Sequence, residues 1–62
     1  MKSYFYFTGE NLDGDYIEFD TPKAVTIETA KDICYRELKN VGGGHIDAWF
    51  SETDEFVFEV EV

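Results

Sequence analysis

Cysteine occurs once in this chain, at Cys34, and histidine once, at His45, so neither an internal disulfide nor a Cys/His zinc site is available to brace 62 residues. Both common staples of a mini-protein are missing, and a packed core has to supply the stability. Long apolar runs are missing too: nothing approaches the ~18 residues of a membrane span. The opening Met-Lys-Ser leads into alternating aromatics instead of the apolar stretch of a secretory signal, which makes a cytoplasmic location the expectation. Positive charge is scarce as well. Five Lys and Arg stand against fourteen Asp and Glu, a net charge of −9. That balance disfavours direct binding to nucleic acid and to anionic membranes, both of which call for a basic footprint. It favours a partner with a basic surface, because opposite potentials speed encounter.

What the chain does have is apolar and aromatic bulk. Hydrophobic residues make up 44% of it, with six Phe, four Tyr and one Trp, too rich a supply for a disordered acidic tail. The length has room for a single domain, residues 1–62, which buries roughly 60% of the surface its unfolded chain exposes.

Periodicity divides the chain into five elements. Residues 2–8 are aromatic-rich and extended, and the Gly9-Glu10-Asn11-Leu12-Asp13-Gly14 stretch that follows is dense in turn formers. Residues 15–20 alternate, with Ile17 and Phe19 on one side and Tyr16, Glu18 and Asp20 on the other, before Thr21-Pro22 stops the strand. Between residues 26 and 41 the period changes to that of a helix. Ala30, Ile33, Cys34, Leu38 and Val41 form its apolar stripe, Thr26 is placed as N-cap, Val25 and Ala30 as a hydrophobic staple, and Gly42-Gly43-Gly44 as the stop. Residues 45–51 and 56–62 alternate again around a turn at Glu52-Thr53-Asp54-Glu55.

One helix has one apolar stripe, so it covers one face of a four-stranded sheet and leaves the other open. The covered face is expected to hold Phe5, Phe7, Ile17, Phe19, Ile46, Ala48, Phe50, Phe56, Phe58 and Val60. By parity the open face carries Tyr4, Tyr6, Tyr16, Glu18, Asp47, Trp49, Val57, Glu59 and Glu61. A one-residue slip in the third strand would exchange Trp49 and Asp47 for Phe50. Trp49 is placed outside because burying an unpaired Asp47 costs several kcal/mol.

Tyr4 to Thr8 followed by Gly9, Leu12 and Gly14, then Thr29-Ala30 early in the helix, Gly42 after it and an aromatic final hairpin resemble the immunoglobulin-binding B domains of protein G and, less closely, of protein L. The resemblance implies an α+β, ββαββ β-grasp-like fold. Its four-stranded mixed sheet would have the order 2-1-4-3, with the terminal strands parallel at the centre and one helix on one face. Those domains bind antibody through the outer helix face, yet Lys31, Asp32, Tyr35, Arg36 and Lys39 do not reproduce the residues used there.

Charge is distributed unevenly over these elements. Within residues 26–41, Glu28, Asp32 and Glu37 balance Lys31, Arg36 and Lys39, so the excess belongs to the strands and loops, where Lys2 and Lys23 are the only cations. Acids interleaved with Tyr and Trp combine a steering field with the residue types that anchor interfaces. Tyr4, Tyr6, Tyr16, Glu18, Asp47, Trp49, Glu59 and Glu61 are therefore the expected partner-binding residues. Such a face resembles those of the DNA-mimicking inhibitors of phages and mobile elements, whose carboxylates occupy the phosphate sites of a nucleic-acid-binding protein. The function expected is an acidic inhibitor or adaptor, monomeric or homodimeric. The alternatives are a binding module of the protein G type that uses the helix face and a domain that homodimerises by an edge strand or by the open face.

Catalytic, metal and cofactor sites are not expected. Periodicity puts Cys34 in the core, away from His45, and a single-layer sheet offers no deep cleft for acid/base chemistry. His45 with Asp47 makes only two ligands. Asn11-Leu12-Asp13-Gly14-Asp15 has its glycine misplaced for a calcium loop, and Gly42-Gly43-Gly44 follows a helix where a phosphate cradle would precede one.

Overall fold

The structure, a computed structural model, describes all 62 residues. In chain order these form β1 (Phe5–Asn11), β2 (Tyr16–Asp20), α1 (Ile27–Asn40), β3 (Gly44–Phe50) and β4 (Phe56–Glu61). Helix α1 begins where the sequence signals its start. The Thr26 hydroxyl accepts the backbone N–H of Thr29, and Val25 and Ala30 are both buried, as a hydrophobic staple requires. The helix ends in a Schellman arrangement: Gly43 N–H donates to Leu38 C=O and Gly42 N–H to Lys39 C=O, with Gly42 at φ 85°. No helix is long and apolar enough to cross a membrane.

The first strand runs further than its composition suggests. Gly9 lies inside β1 instead of opening the turn, and the turn is organised by Asn11, whose side-chain oxygen accepts the backbone N–H groups of Asp13 and Asp15, each at 2.9 Å. Gly9 is required where it stands. A Cβ there would overlap the His45 carbonyl oxygen and come within 2.8 Å of Ile46 Cα on the neighbouring strand. At the far end of β2, Thr21 is buried and clamps the start of β1: its hydroxyl accepts from Phe5 N–H, and its own N–H donates to Phe5 C=O.

The sheet order is β2-β1-β3-β4 with every neighbouring pair antiparallel, which corrects the mixed 2-1-4-3 sheet that the protein G resemblance implies. Strand directions are the same in both arrangements, and the difference is that the second hairpin is turned over. It is β3, not β4, that pairs with β1, in continuous register from Phe5–Phe50 to Asn11–Gly44. The central position suits β3 for a steric reason. Its inward residues Gly44, Ile46 and Ala48 are fully or nearly fully buried and modest in size, and Gly9 and Gly44 let the two backbones approach closely. β4 carries Phe56, Glu59 and Glu61 exposed, as an edge strand tolerates, and charges on an edge discourage pairing with another chain. What stands of the resemblance is the coarser feature, an α+β fold of one four-stranded sheet and one helix.

Ala30, Cys34 and Leu38 of α1 pack on Phe5, Phe7, Ile46, Ala48 and Val60, with Val25 completing the buried core. Ile17, Phe19, Phe50, Val57 and Phe58 pack partly buried around it. One assignment on each face changes. A bulge between Ala48 and Trp49 pairs Ala48 with Phe58 but Trp49 with Phe56. Phe56 is thereby carried to the open face at 55% exposure, while Val57, expected outside, packs against the core.

Candidate functional site

The open face is an array of three transverse rows set by strand register. Across β2, β1, β3 and β4 the first row is Asp20, Tyr6, Trp49, Phe56 and the second is Glu18, Thr8, Asp47, Glu59. The third is Tyr16, Glu10, His45, Glu61. All six carboxylates of the four strands fall on this one face, and no strand contains Lys or Arg. The lysines and arginine of α1 belong to the opposite layer, where Lys31 Nζ sits 5.7 Å from the centroid of the Phe58 ring.

Aromatic rings occupy one corner of this field. Tyr6 and Trp49, direct cross-strand partners, stack with centroids 6.1 Å apart and planes 12° apart, and Phe56 meets Trp49 edge-on at 5.5 Å. The rings are held by hydrogen bonds as well as by contact. Trp49 Nε1 donates to Thr8 Oγ1 at 2.9 Å, and the Tyr6 hydroxyl donates to Asp54 Oδ1 at 3.1 Å. Asp54 reaches that position from the β3–β4 turn through a left-handed backbone, φ 61°, which Asp tolerates better than most residues. Desolvation, then the hydrogen bond and the negative charge of Asp54, hold the Tyr6 hydroxyl above its ordinary pKa. Tyr16 is raised likewise, by desolvation and then by Glu18, to which its hydroxyl donates at 3.3 Å.

Of the residues expected to form the site, Tyr6, Tyr16, Glu18, Asp47, Trp49, Glu59 and Glu61 come together in the three rows. Tyr4 does not. It precedes β1, half exposed, and lines a separate hollow of about 480 Å³ with Phe50, Ala24 and the N-terminal residues. Glu10, Asp54 and Phe56 also belong to the face, as does Asp20, which alternation sets on the side of Tyr16 and Glu18 but which is not among the expected binding residues. Strand parity was enough to find Asp20, and Glu10 was hidden by reading Gly9 as the turn. Phe56 and Asp54 depend on a bulge and a left-handed turn residue that leave no periodic trace.

Other clusters offer less. Cys34 is fully buried beneath the helix, where burial pushes its thiol up to about 12, while His45 lies on the opposite face of the sheet. No three His, Cys, Asp or Glu side chains converge to hold a metal ion. Asn11 Oδ1, which a cation in the β1–β2 loop would seek, is already engaged by two backbone amides. No family model matches the chain, and neither the curated proteins nor the solved structures provide a match to it.

Proposed function

We propose that this domain is a protein-binding module, an inhibitor or adaptor that docks its open sheet face onto a basic surface of a nucleic-acid-binding protein. One observation carries the reading: six carboxylates and no cation share a sheet face with a fixed aromatic corner. Solubility accounts for the acids, but not for the rings set among them.

Density supports the nature of the partner. Four strands and three rows span about 14 by 14 Å at ordinary sheet spacings. A 14 Å length of duplex DNA carries roughly eight charges, about four of them on the side that faces a bound protein, so six charges on this face are at least as dense. A surface built for phosphates would meet a comparable field here, with Trp49, Tyr6 and Phe56 as apolar anchors. An open-face homodimer is disfavoured by the same field, since it would stack six carboxylates on six.

The test is capture from a native host lysate, identification of the captured protein, and reconstitution with that protein purified. Affinity is expected to fall steeply between about 0.05 and 0.5 M salt, to be competed by duplex DNA, and to be lost in a Tyr6→Ala, Trp49→Ala, Glu59→Gln variant. Retention of the purified partner by that variant would remove the open face from consideration.

A further inference from the structure

On the β2 side of Tyr6 the open face has a shallow hollow of about 330 Å³, lined by Tyr6, Glu18, Phe19 and Asp20. We propose that this hollow receives a single arginine side chain of the partner, its guanidinium plane against the Tyr6 ring and its donor fork on the Asp20 carboxylate. The proposal rests on the docking reading above and adds to it the chemical identity of one contact.

Three features converge on a planar cation. Tyr6 stands between Trp49 on β3 and Asp20 on β2, in direct register with both. Trp49 stacks beside it at 6.1 Å and Asp54 holds its hydroxyl at 3.1 Å, so the ring is fixed on its β3 side and at its tip. Its β2 side adjoins the hollow. An aromatic ring immobilised in advance binds a cation without a further ordering cost. Carboxylates close the hollow: Glu18 has Oε2 engaged by the Tyr16 hydroxyl, and Asp20, exposed at the end of β2, is the acceptor directly across from the ring.

A ring face beside a carboxylate fits guanidinium better than ammonium. Arginine is planar, less strongly hydrated, and presents paired donors that match both oxygens of a carboxylate, whereas lysine offers a compact and strongly hydrated point charge. The six carboxylates would attract both residues from a distance. The hollow is what would distinguish them.

The experiment uses the intact domain and two soluble peptides, one with arginines separated by Gly-Ser spacers and one with lysine at every arginine. Affinities are measured calorimetrically at low salt, and amide shifts are followed by NMR. The arginine peptide is expected to bind about fivefold to tenfold more tightly and to shift the amides of Tyr6, Glu18, Phe19 and Asp20 most. Tyr6→Leu, which keeps bulk but not the ring, should weaken the arginine peptide more than the lysine peptide and so bring the two affinities together. Asp20→Asn, on an exposed edge position, should reduce the preference without touching the ring, and so tests the proposal should Tyr6→Leu disturb the fold. Equal affinities in the unaltered domain, or a preference that survives Tyr6→Leu in a folded protein, overturn the arginine recess while leaving a salt-dependent acidic face intact. If neither peptide binds at low salt, the docking reading and the recess fall together.

Discussion

Neutralising Asp47 should make this domain more stable, by an amount that salt erases. Asp47 pairs directly with Glu59, has Glu10 and Glu61 on its diagonals, and has Glu18 two strands away in its own row. Ordinary sheet spacings put those carboxylates at about 5.5, 8 and 10 Å respectively. With the dielectric of water and Debye lengths of about 30, 8 and 3 Å, the repulsion relieved by Asp47→Asn is about 1.7 kcal/mol at 0.01 M salt. It is about 0.9 kcal/mol at 0.15 M and about 0.2 kcal/mol at 1 M. In a chain of this size about 1 kcal/mol corresponds to a rise in Tm of roughly 4–8 °C. Thermal and urea unfolding at the three salt concentrations, followed by far-ultraviolet circular dichroism, measures the gain. Asp32→Asn is the control expected to change stability little at any salt, because Asp32 lies one helical turn from both Glu28 and Arg36, whose repulsion and attraction are of similar size. An Asp47→Asn variant that gains nothing at low salt, or gains equally at all three, refutes the reasoning.

Thr26→Ala removes the hydroxyl that accepts Thr29 N–H and should cost about 1 kcal/mol, visible as a lower urea midpoint. Gly9→Ala forces a Cβ onto the β3 backbone and should cost several kcal/mol, enough to leave the domain largely unfolded by circular dichroism. Alkali should destabilise the fold through Cys34. Its thiol is held neutral to about 12 in the native state against 9.0 ordinarily, so the contribution is complete below about pH 9 and is lost progressively as pH rises toward 12, up to about 4 kcal/mol. Tyr6 and Tyr16, also raised, act in the same direction. A Cys34→Ala variant, less stable at neutral pH, should have a flatter alkaline limb in its stability profile.

The sequence was most legible where local chemistry specifies structure. The N-cap at Thr26, the staple of Val25 with Ala30 and the glycine stop after Val41 are all in place, and two-residue alternation put Trp49 outside and Ile46 inside. Strand order was not legible, because exchanging the places of β3 and β4 keeps every strand direction, and alternation within a strand reads the same whichever of the two meets β1. That choice is made by backbone approach at Gly9 and Gly44, a pairwise fit that no single segment displays. The exchange of Phe56 with Val57 has the same origin, since one extra residue in β4 inverts the parity of everything beyond it. Most of the candidate face survived these errors because its acids sit on strands whose own alternation was read correctly.

Fold and charge are thus carried by opposite sides of one sheet, and they oppose each other energetically. The inward residues that α1 covers supply the stability, while on the other face like charges in register detract from it. If the acids served solubility alone, amidating the middle row as Glu18→Gln, Asp47→Asn and Glu59→Gln would give a more stable domain that performs as before. If they form the docking field, the same variant should gain stability at low salt and lose about tenfold or more in affinity for its basic partner near 0.15 M salt. Unfolding and binding measured on one preparation separate these outcomes, because a variant damaged in its fold would lose both properties together. A more stable variant with undiminished affinity would show that the carboxylates take no part in recognition, leaving the aromatic corner of Tyr6, Trp49 and Phe56 to account for any contact.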